Sequence, residues 1–521
     1  QLTFRRGQVP SARFGPDGQT VFYAAAWEGK PLEILTTRVE STESRPFGLS
    51  TADLLAVSHS GELAVSLRRR VAFGFISTGM LARVTVAGGA APRDILDDVQ
   101  WADWAPDGES LAAVRDVGAA NRLEFPIGTV LYQTSGWISH PRVSPRGDRV
   151  AFLDHPVRND DGGRVAVVDR KGNRTTLSRV FGSIQGLAWS PNGDIWFTGA
   201  ERQNRDLYSV TLSGQERVRE RVAGSITLQD ISNDGRILIA RETNRIGTIG
   251  LFPGAERERE LTWLDWSIAR DLSPDGRTLV FSETGEGGGA GYSAYLRQTD
   301  GSPPIRLGEG AAESLSPDGN WVLTIRHPLS DTQLVAYPTS AGEVKRFPRE
   351  SLTVTLADWT PDGRGIVFSA NEPQRGIRIY AQAFPEGKPR PVSPEGYQMF
   401  RHGVSPDGRF VIATGPDQKI CLYPLGGGEP KPLPGSRSGD IPGRWTSDGR
   451  AVYVHRRDEM PAKVYLLDVT TGRKELWKEL IPADAAGVTQ AAIVLPGPDG
   501  RSCVYSYTRL LSDLYVVDGL R

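Results

Sequence analysis

Cysteine is nearly absent from this sequence: two among 521 residues, Cys421 in KICLYPL and Cys503 in RSCVYSY. Both fall in apolar, strand-like runs, which reads as two buried thiols rather than a disulfide or a ligand pair. They therefore say nothing about redox compartment. No run of about 18 or more apolar residues occurs, so no helix of this chain is expected to span a membrane. An excess of either charge is missing as well. The 61 basic and 62 acidic side chains nearly cancel, which removes the basic field expected of a protein whose main partner is nucleic acid. Helical periodicity is scarce, and a short turn within TGRKELWKEL (471–480) is the best candidate. The sequence opens at Gln1 with no methionine and no charged-then-apolar leader, which reads as a processed or excised piece.

The local signatures of common chemistries are missing too. A serine hydrolase exposes its nucleophile on a Gly-x-Ser-x-Gly elbow, and the nearest string, GSRSG at 435–439, has serine at the wrong offset in a Pro/Gly-rich stretch. The six histidines (His59, His140, His155, His327, His402 and His455) occur singly, with no pair at helical metal-site spacing. GEGGGAG (285–291) resembles a dinucleotide loop in composition only. A phosphate cradle needs a helix after it, whereas the strand-like YSAYLRQ follows. No metal and no cofactor is implied.

What is present is a repeat. Ser-Pro-Asp-Gly or a near copy occurs twelve times, with glycines at 18, 61, 108, 147, 193, 235, 276, 319, 363, 408, 449 and 500. The gaps run from 39 to 51 residues, the period of a four-stranded propeller blade. In the copy GLAWSPNGDIWFTGA an apolar run meets the turn and a second apolar run follows at once. Proline presets the first corner and glycine supplies the positive φ that closes it, which makes a hairpin. Alternating runs such as VAVVD (165–169) and KVYLLDV (463–469) supply third strands, and a poorer fourth completes each unit.

The expected fold is all-β: twelve four-stranded blades, as two six-bladed propellers over 1–258 and 259–521, or alternatively one twelve-bladed ring. The division follows from the way ELTWLDWSIARDLSPDG (260–276) mirrors the opening QLTFRRGQVPSARFGPDG, just after the charged run ERERE (256–260). QLTF reads as a fourth strand and the closing SDLYVVDGL as a third, so pairing them would seal a ring and remove an open sheet edge. The last repeat carries Pro496 where the others carry a large apolar residue, and its turn is expected to be one residue longer.

Two residue sets stand out as candidate sites. Five residues before the turn glycines lies a charged column: Arg13, Asp103, Arg142, Asp230, Asp271, Asp358 and Arg444. On the innermost strands these residues either ring a channel and hold a polar ligand, or pair between adjacent blades, because buried charge survives only when paired. His140 and His402 lie a few residues before turns in two different blades, positions that a closed ring can bring together on its axis as a composite site. The second set, Trp137, Trp263, Trp266, Tyr397 and Phe400, sits in loops leading into first strands. It reads either as a recognition rim or as packing under those loops.

The phrases FGPDGQTVFYAA, DLSPDGRTLVFSE, DWTPDGRGIVFSA and GVSPDGRFVIATG resemble the bacterial TolB-type propeller repeat, also called the PD40 or WD40-like repeat. The opening LTFRRGQVPSARFGPDGQTVFYAAAWEGKP and the later GWISHPRVSP resemble the propeller region found C-terminal to the kinase domain in some bacterial transmembrane serine/threonine kinases. That resemblance implies a non-catalytic sensory or interaction role, outside the cytoplasmic membrane. The chain itself has no HRD loop, no DFG and no Gly-rich phosphate loop with its lysine. The expected work is binding of a protein, a peptide or a small polar ligand at a propeller face. The competing expectation is an enzyme, such as a polysaccharide lyase or hydrolase, whose acid–base groups assemble across blades and leave no local motif.

Overall fold

In a computed structural model the chain is described except at residues 74, 75, 90, 119, 159, 202, 203, 253, 254, 285–287, 289, 290, 327–331, 349, 350, 374, 457, 458, 498, 520 and 521; for 71–73 only the backbone is described. His327 and most of GEGGGAG thus lie outside the described residues.

The described residues contain no helix, and antiparallel strands account for the regular structure. TGRKELWKEL is a correction: Lys474–Leu480 is a strand paired with Ala462–Asp468. There the Trp477 ring packs edge-on against Tyr453, and its indole N–H donates to the Gly500 carbonyl at 2.7 Å. The ladder with Ala462–Asp468 and the packing of Trp477 have overridden a weak helical preference.

The repeat turn forms as its chemistry requires. All twelve turn glycines have positive φ, between 62° and 89°. In the turn at 273–276 the Gly276 N–H donates to the Ser273 carbonyl at 2.8 Å, while the Asp275 carboxylate accepts from the Ser273 hydroxyl (2.6 Å) and the Arg277 N–H (3.0 Å). The last turn keeps the common length, against expectation. Gly497 takes the serine position, Gly500 N–H donates to its carbonyl, and Pro496 pairs with Cys503 across the same seven-residue step as Leu272 with Leu279.

The chain folds into two compact units. Unit 1 comprises 1–243, 484–487 and 510–521; unit 2 comprises 244–483 and 488–509. Unit 1 contains six blades, A to F, whose innermost strands are Gly7–Phe14, Ala52–Val57, the end of Arg93–Trp104, Trp137–Val143, Ser183–Trp189 and Ser225–Ile231. Unit 2 contains blades G to L, with innermost strands Ile268–Leu272, Ala311–Leu315, Thr353–Trp359, Gln398–Val404, Asp440–Trp445 and Val488–Pro496. Each blade buries its faces against its neighbours, and the first and last blades of each unit share a core. Leu2, Val9, Phe14 and Tyr23 pack with Leu238 and Leu514 in unit 1, and Leu261, Ala269 and Phe281 pack with Leu495 and Val504 in unit 2. This is propeller packing: no blade covers its own apolar faces, and ring closure covers the last two.

The units differ from the two halves of the sequence. Strands Ile237–Leu251 and Cys503–Val517 are each 15 residues long and continue through positions where other blades turn back. The chain leaves unit 1 inside the first of them and returns inside the second. Residues 244–258 therefore belong with unit 2 and 510–521 with unit 1. The closing segment does pair with QLTF, and it does so within unit 1: Leu2 N–H donates to Leu514 O at 2.7 Å, and Leu514 N–H donates to Thr3 Oγ1 at 2.8 Å. Arg259–Glu260, within ERERE, plays the matching outer-strand role in blade L by pairing with Ile249 and Gly250.

Candidate functional site

Each innermost strand carries a register irregularity a few residues before its turn, for example between Leu228 and Asp230, Ala269 and Asp271, and Ala312 and Ser314. The innermost strand is also the free edge of its blade, so alternate backbone N–H groups point off the sheet ladder, and buried donors need partners. The preceding blade supplies them. Ala312 N–H donates to Ser282 Oγ at 2.9 Å, Met399 N–H to Ser369 Oγ at 2.9 Å, and Ile138 N–H to Asn121 Oδ1 at 2.8 Å.

Three aspartates of the charged column do the same job one step further along. Asp103 accepts the Val143 N–H (2.8 Å), Asp230 the Phe14 N–H (2.9 Å) and Asp271 the Leu315 N–H (2.7 Å), each in the adjoining blade. Asp358 is the exception, since its carboxylate accepts the N–H of its own neighbour Trp359 at 2.9 Å. The column is thus partly a stitching device, written in the sequence as a recurrent Asp.

Three of the arginines, Arg142, Arg444 and Arg401, reach beyond adjoining blades. In unit 1, Arg142 of blade D donates through Nε to Leu187 O of blade E (2.8 Å). Its Nη2 donates to Gln229 O (2.6 Å) and Asp230 Oδ1 (3.3 Å) of blade F, and its Nη1 lies 3.6 Å from Asp103 of blade C. Arg13 of blade A donates through Nη1 to Ala12 O and Gln229 O. In unit 2, Arg444 of blade K bonds Asp271 and Leu272 O of blade G, while Arg401 of blade J pairs with Glu313 of blade H at 2.9 Å. The seven column residues are therefore divided between two separate axial clusters: Arg13, Asp103, Arg142 and Asp230 in unit 1, and Asp271, Asp358 and Arg444 in unit 2.

His140 and His402 are likewise divided between the units. Each stands in the bulge of the innermost strand of its unit's fourth blade with positive φ, 49° and 53°, a conformation that costs a non-glycine residue about 1 kcal/mol or more. His140 lies against the Trp101 ring (4.2 Å between centroids), and its Nδ1 is 2.9 Å from the Ser139 hydroxyl, which also contacts His155 Nε2 at 2.8 Å. Burial, reinforced by Arg13, holds His140 well below its ordinary pKa. His402 donates through Nε2 to Arg270 O at 2.9 Å and lies 3.9 Å from Asp271; burial pushes it down to about 4. Burial and the neighbouring Asp271 carboxylate push Asp358 up to about 7.

Residues absent from the sequence-level column complete both clusters. Gln229, Arg270, Glu313 and His402 all lie six residues before a turn glycine. Strict alternation would turn them away from the column, but the bulge gives the inner strand an extra residue there, and consecutive side chains then serve the axis.

Unit 1 opens at its turn-bearing end into a funnel of about 380 Å³. Its wall includes Arg13, Asp103, Trp104, Arg142, Trp189 and Asp230, and exposed His59, Asn233 and Asp234 lie at its mouth. Of the aromatic set, Trp137 is buried, stacked on His155 at 3.9 Å with its indole N–H donated to Asp160 O. Tyr397 and Phe400 are half-buried, packed on Tyr423 and on the cluster around Ile412 and Leu422 respectively. Trp266 is half-buried beside Ile246, and Trp263, 45 % exposed, faces solvent with Leu264. Both cysteines are free and buried.

No protein-family model matches the chain, and no curated protein does. Its fold is similar to those of several solved structures. A TolB from Agrobacterium tumefaciens aligns over 51 % of this chain and 98 % of its own, at 18 % identity and a TM-score of 0.39. The tricorn protease aligns over 95 % of this chain and 52 % of its own, at 14 % identity and a TM-score of 0.34. An oligogalacturonate lyase from Vibrio parahaemolyticus aligns over 64 % of this chain and 90 % of its own, at 11 % identity and a TM-score of 0.31.

Proposed function

We propose that this chain is a binding module, a sensor or scaffold that presents the mouth of a propeller funnel to a polar small molecule, a peptide or a protein segment. The observation that carries this reading is the division of labour along the axis of unit 1. There the column carboxylates and Arg142 are spent on backbone N–H groups, carbonyls and one another. The open funnel above them remains available, with a polar and aromatic wall. Charge fixed in this way is suited to holding a ligand in one orientation. By resemblance of its opening segment, the chain is read as the sensory part of a larger bacterial signalling protein, working outside the cytoplasm.

A second reading, an enzyme such as a polysaccharide lyase or hydrolase, draws on unit 2. A carboxyl group raised to about 7 (Asp358), an ion-paired carboxylate (Asp271) and a neutral histidine (His402) share one cluster there. Groups pushed toward opposite protonation states are the raw material of acid–base catalysis.

One experiment separates the two. The full chain is screened by thermal shift against oligosaccharides, peptides and metal ions, and each compound that raises the melting temperature is then incubated with the chain and analysed by NMR. Ligands recovered unchanged support the binding reading. A ligand cleaved or converted to an unsaturated product, with loss of turnover in Asp358→Asn, replaces it with the enzyme.

A further inference from the structure

We propose that the funnel of unit 1 is a carboxylate site, with the guanidinium of Arg13 as its anchor; the inference rests on the binding reading above and names the chemistry of the ligand. Arg13 is 6 % exposed and lines the funnel. Both of its hydrogen bonds leave from one nitrogen, Nη1, to Ala12 O at 2.8 Å and Gln229 O at 2.9 Å. Its Nε is buried with no acceptor among the described residues, and neither of the two hydrogen bonds uses Nη2. Nε and Nη2 lie side by side and form the edge of a guanidinium that takes the two oxygens of a carboxylate in parallel.

The nearby acids do not fill that edge. Asp230 is committed to the Phe14 N–H and Arg142, and Asp103 to the Val143 N–H with its other oxygen toward Arg142. A buried cationic edge left without an acceptor is costly, and a ligand oxygen pair removes that cost.

A second donor on the same wall is also unmatched. Trp104 Nε1 is buried with no acceptor among the described residues, whereas Trp189, at the same place in its own repeat, donates its indole N–H to Arg142 O at 3.0 Å. The wall thus has surplus donors on blades A and C, which selects a ligand rich in acceptors. Asp103 and Asp230 balance the charges of Arg13 and Arg142, so a dianionic phosphate would bring its second charge against two carboxylates. A planar monoanionic carboxylate meets the Arg13 edge with less repulsion. A funnel of about 380 Å³ admits either a small organic acid or the acidic side chain of a peptide.

The test is titration calorimetry of the full chain with two matched pairs of probes: propionate and propionamide, and the capped peptides acetyl-Ala-Glu-Ala-amide and acetyl-Ala-Gln-Ala-amide. The carboxylate member of at least one pair is expected to bind roughly tenfold or more tightly than its amide. Which pair responds identifies a free acid or a peptide-borne one. Arg13→Lys, which keeps the charge and loses the paired donors, should weaken binding roughly tenfold. Asn233→Trp should block it from the mouth; Asn233 is exposed and its side chain makes no hydrogen bond among the described residues, so the substitution removes no side-chain bond. If Arg13→Lys fails to fold, the acid–amide comparison and Asn233→Trp decide the matter.

Equal binding of acid and amide, carboxylate binding that survives the substitutions, or no carboxylate binding at all would overturn the proposal. A neutral or cationic compound whose stabilising effect is lost in Asn233→Trp would also overturn it, while leaving the binding reading in place.

Discussion

Closure of unit 1 by its first residues makes a prediction that can be worked from the structure. Leu2 is 2 % exposed and lies in the core shared by blades A and F with Val9, Phe14, Leu238 and Leu514. Truncation to alanine removes most of a buried aliphatic side chain from a packed site, which costs about 2–4 kcal/mol. Thr3 is 3 % exposed and its hydroxyl accepts the Leu514 N–H. Thr3→Val keeps the shape and strands that donor, at a cost of about 1–3 kcal/mol. The two residues are neighbours serving one strand, so the double variant should fall short of the simple sum. Phe4, 61 % exposed, is a natural control whose replacement by serine should change stability by no more than about 0.5 kcal/mol.

The assay is amide hydrogen exchange resolved by peptide. Protection over 510–517 should fall in Leu2→Ala and Thr3→Val by amounts matching those energies, while Phe410–Thr414, in unit 2, keeps its protection. Unchanged exchange over 510–517 in both variants would refute closure by this segment. Equal loss in both units would refute its assignment to unit 1.

Two further outcomes are expected. Asp358 carries a pKa of about 7 in the folded chain against an ordinary 3.8, so the folded form holds its proton where the unfolded form has released it. Its contribution is most favourable below about pH 4 and is lost as pH rises toward 7, by on the order of 4 kcal/mol at most. The groups facing it, Asp271, Arg401, Ser314 and the Trp359 N–H, are untouched by Asp358→Asn. The stability advantage of that variant over the parent, measured by urea unfolding, should therefore be near zero at about pH 4, grow toward pH 7 and level off. A difference independent of pH would count against the assignment. Burial pushes both Cys421 and Cys503 up to about 11; neither should react with a thiol reagent at neutral pH until urea unfolds the chain, and prompt labelling of either would show that the burial is wrong.

The sequence by itself determined whatever depends on a residue and its near neighbours. Twelve turns of the Ser-Pro-Asp-Gly type, three exact and nine near copies, were legible because glycine at the closing corner must take positive φ. The apolar run before each turn had to be an inner strand because nothing else nearby could bury it. The recurrent Asp was visible as well, since it answers a backbone donor that every repeat presents. What only tertiary structure decided is where long strands end up and which charges meet. No turn residue marks the point at which Ile237–Leu251 leaves one unit for the other, so local sequence could not say that 510–517 closes blade F. Gln229, Arg270 and Glu313 were missed because the bulge breaks the two-residue alternation on which the column was read. Nor does spacing tell that Arg142 crosses to Asp230 two blades away, or that Arg13 keeps one donor edge unspent, because both facts arise when distant strands converge on an axis.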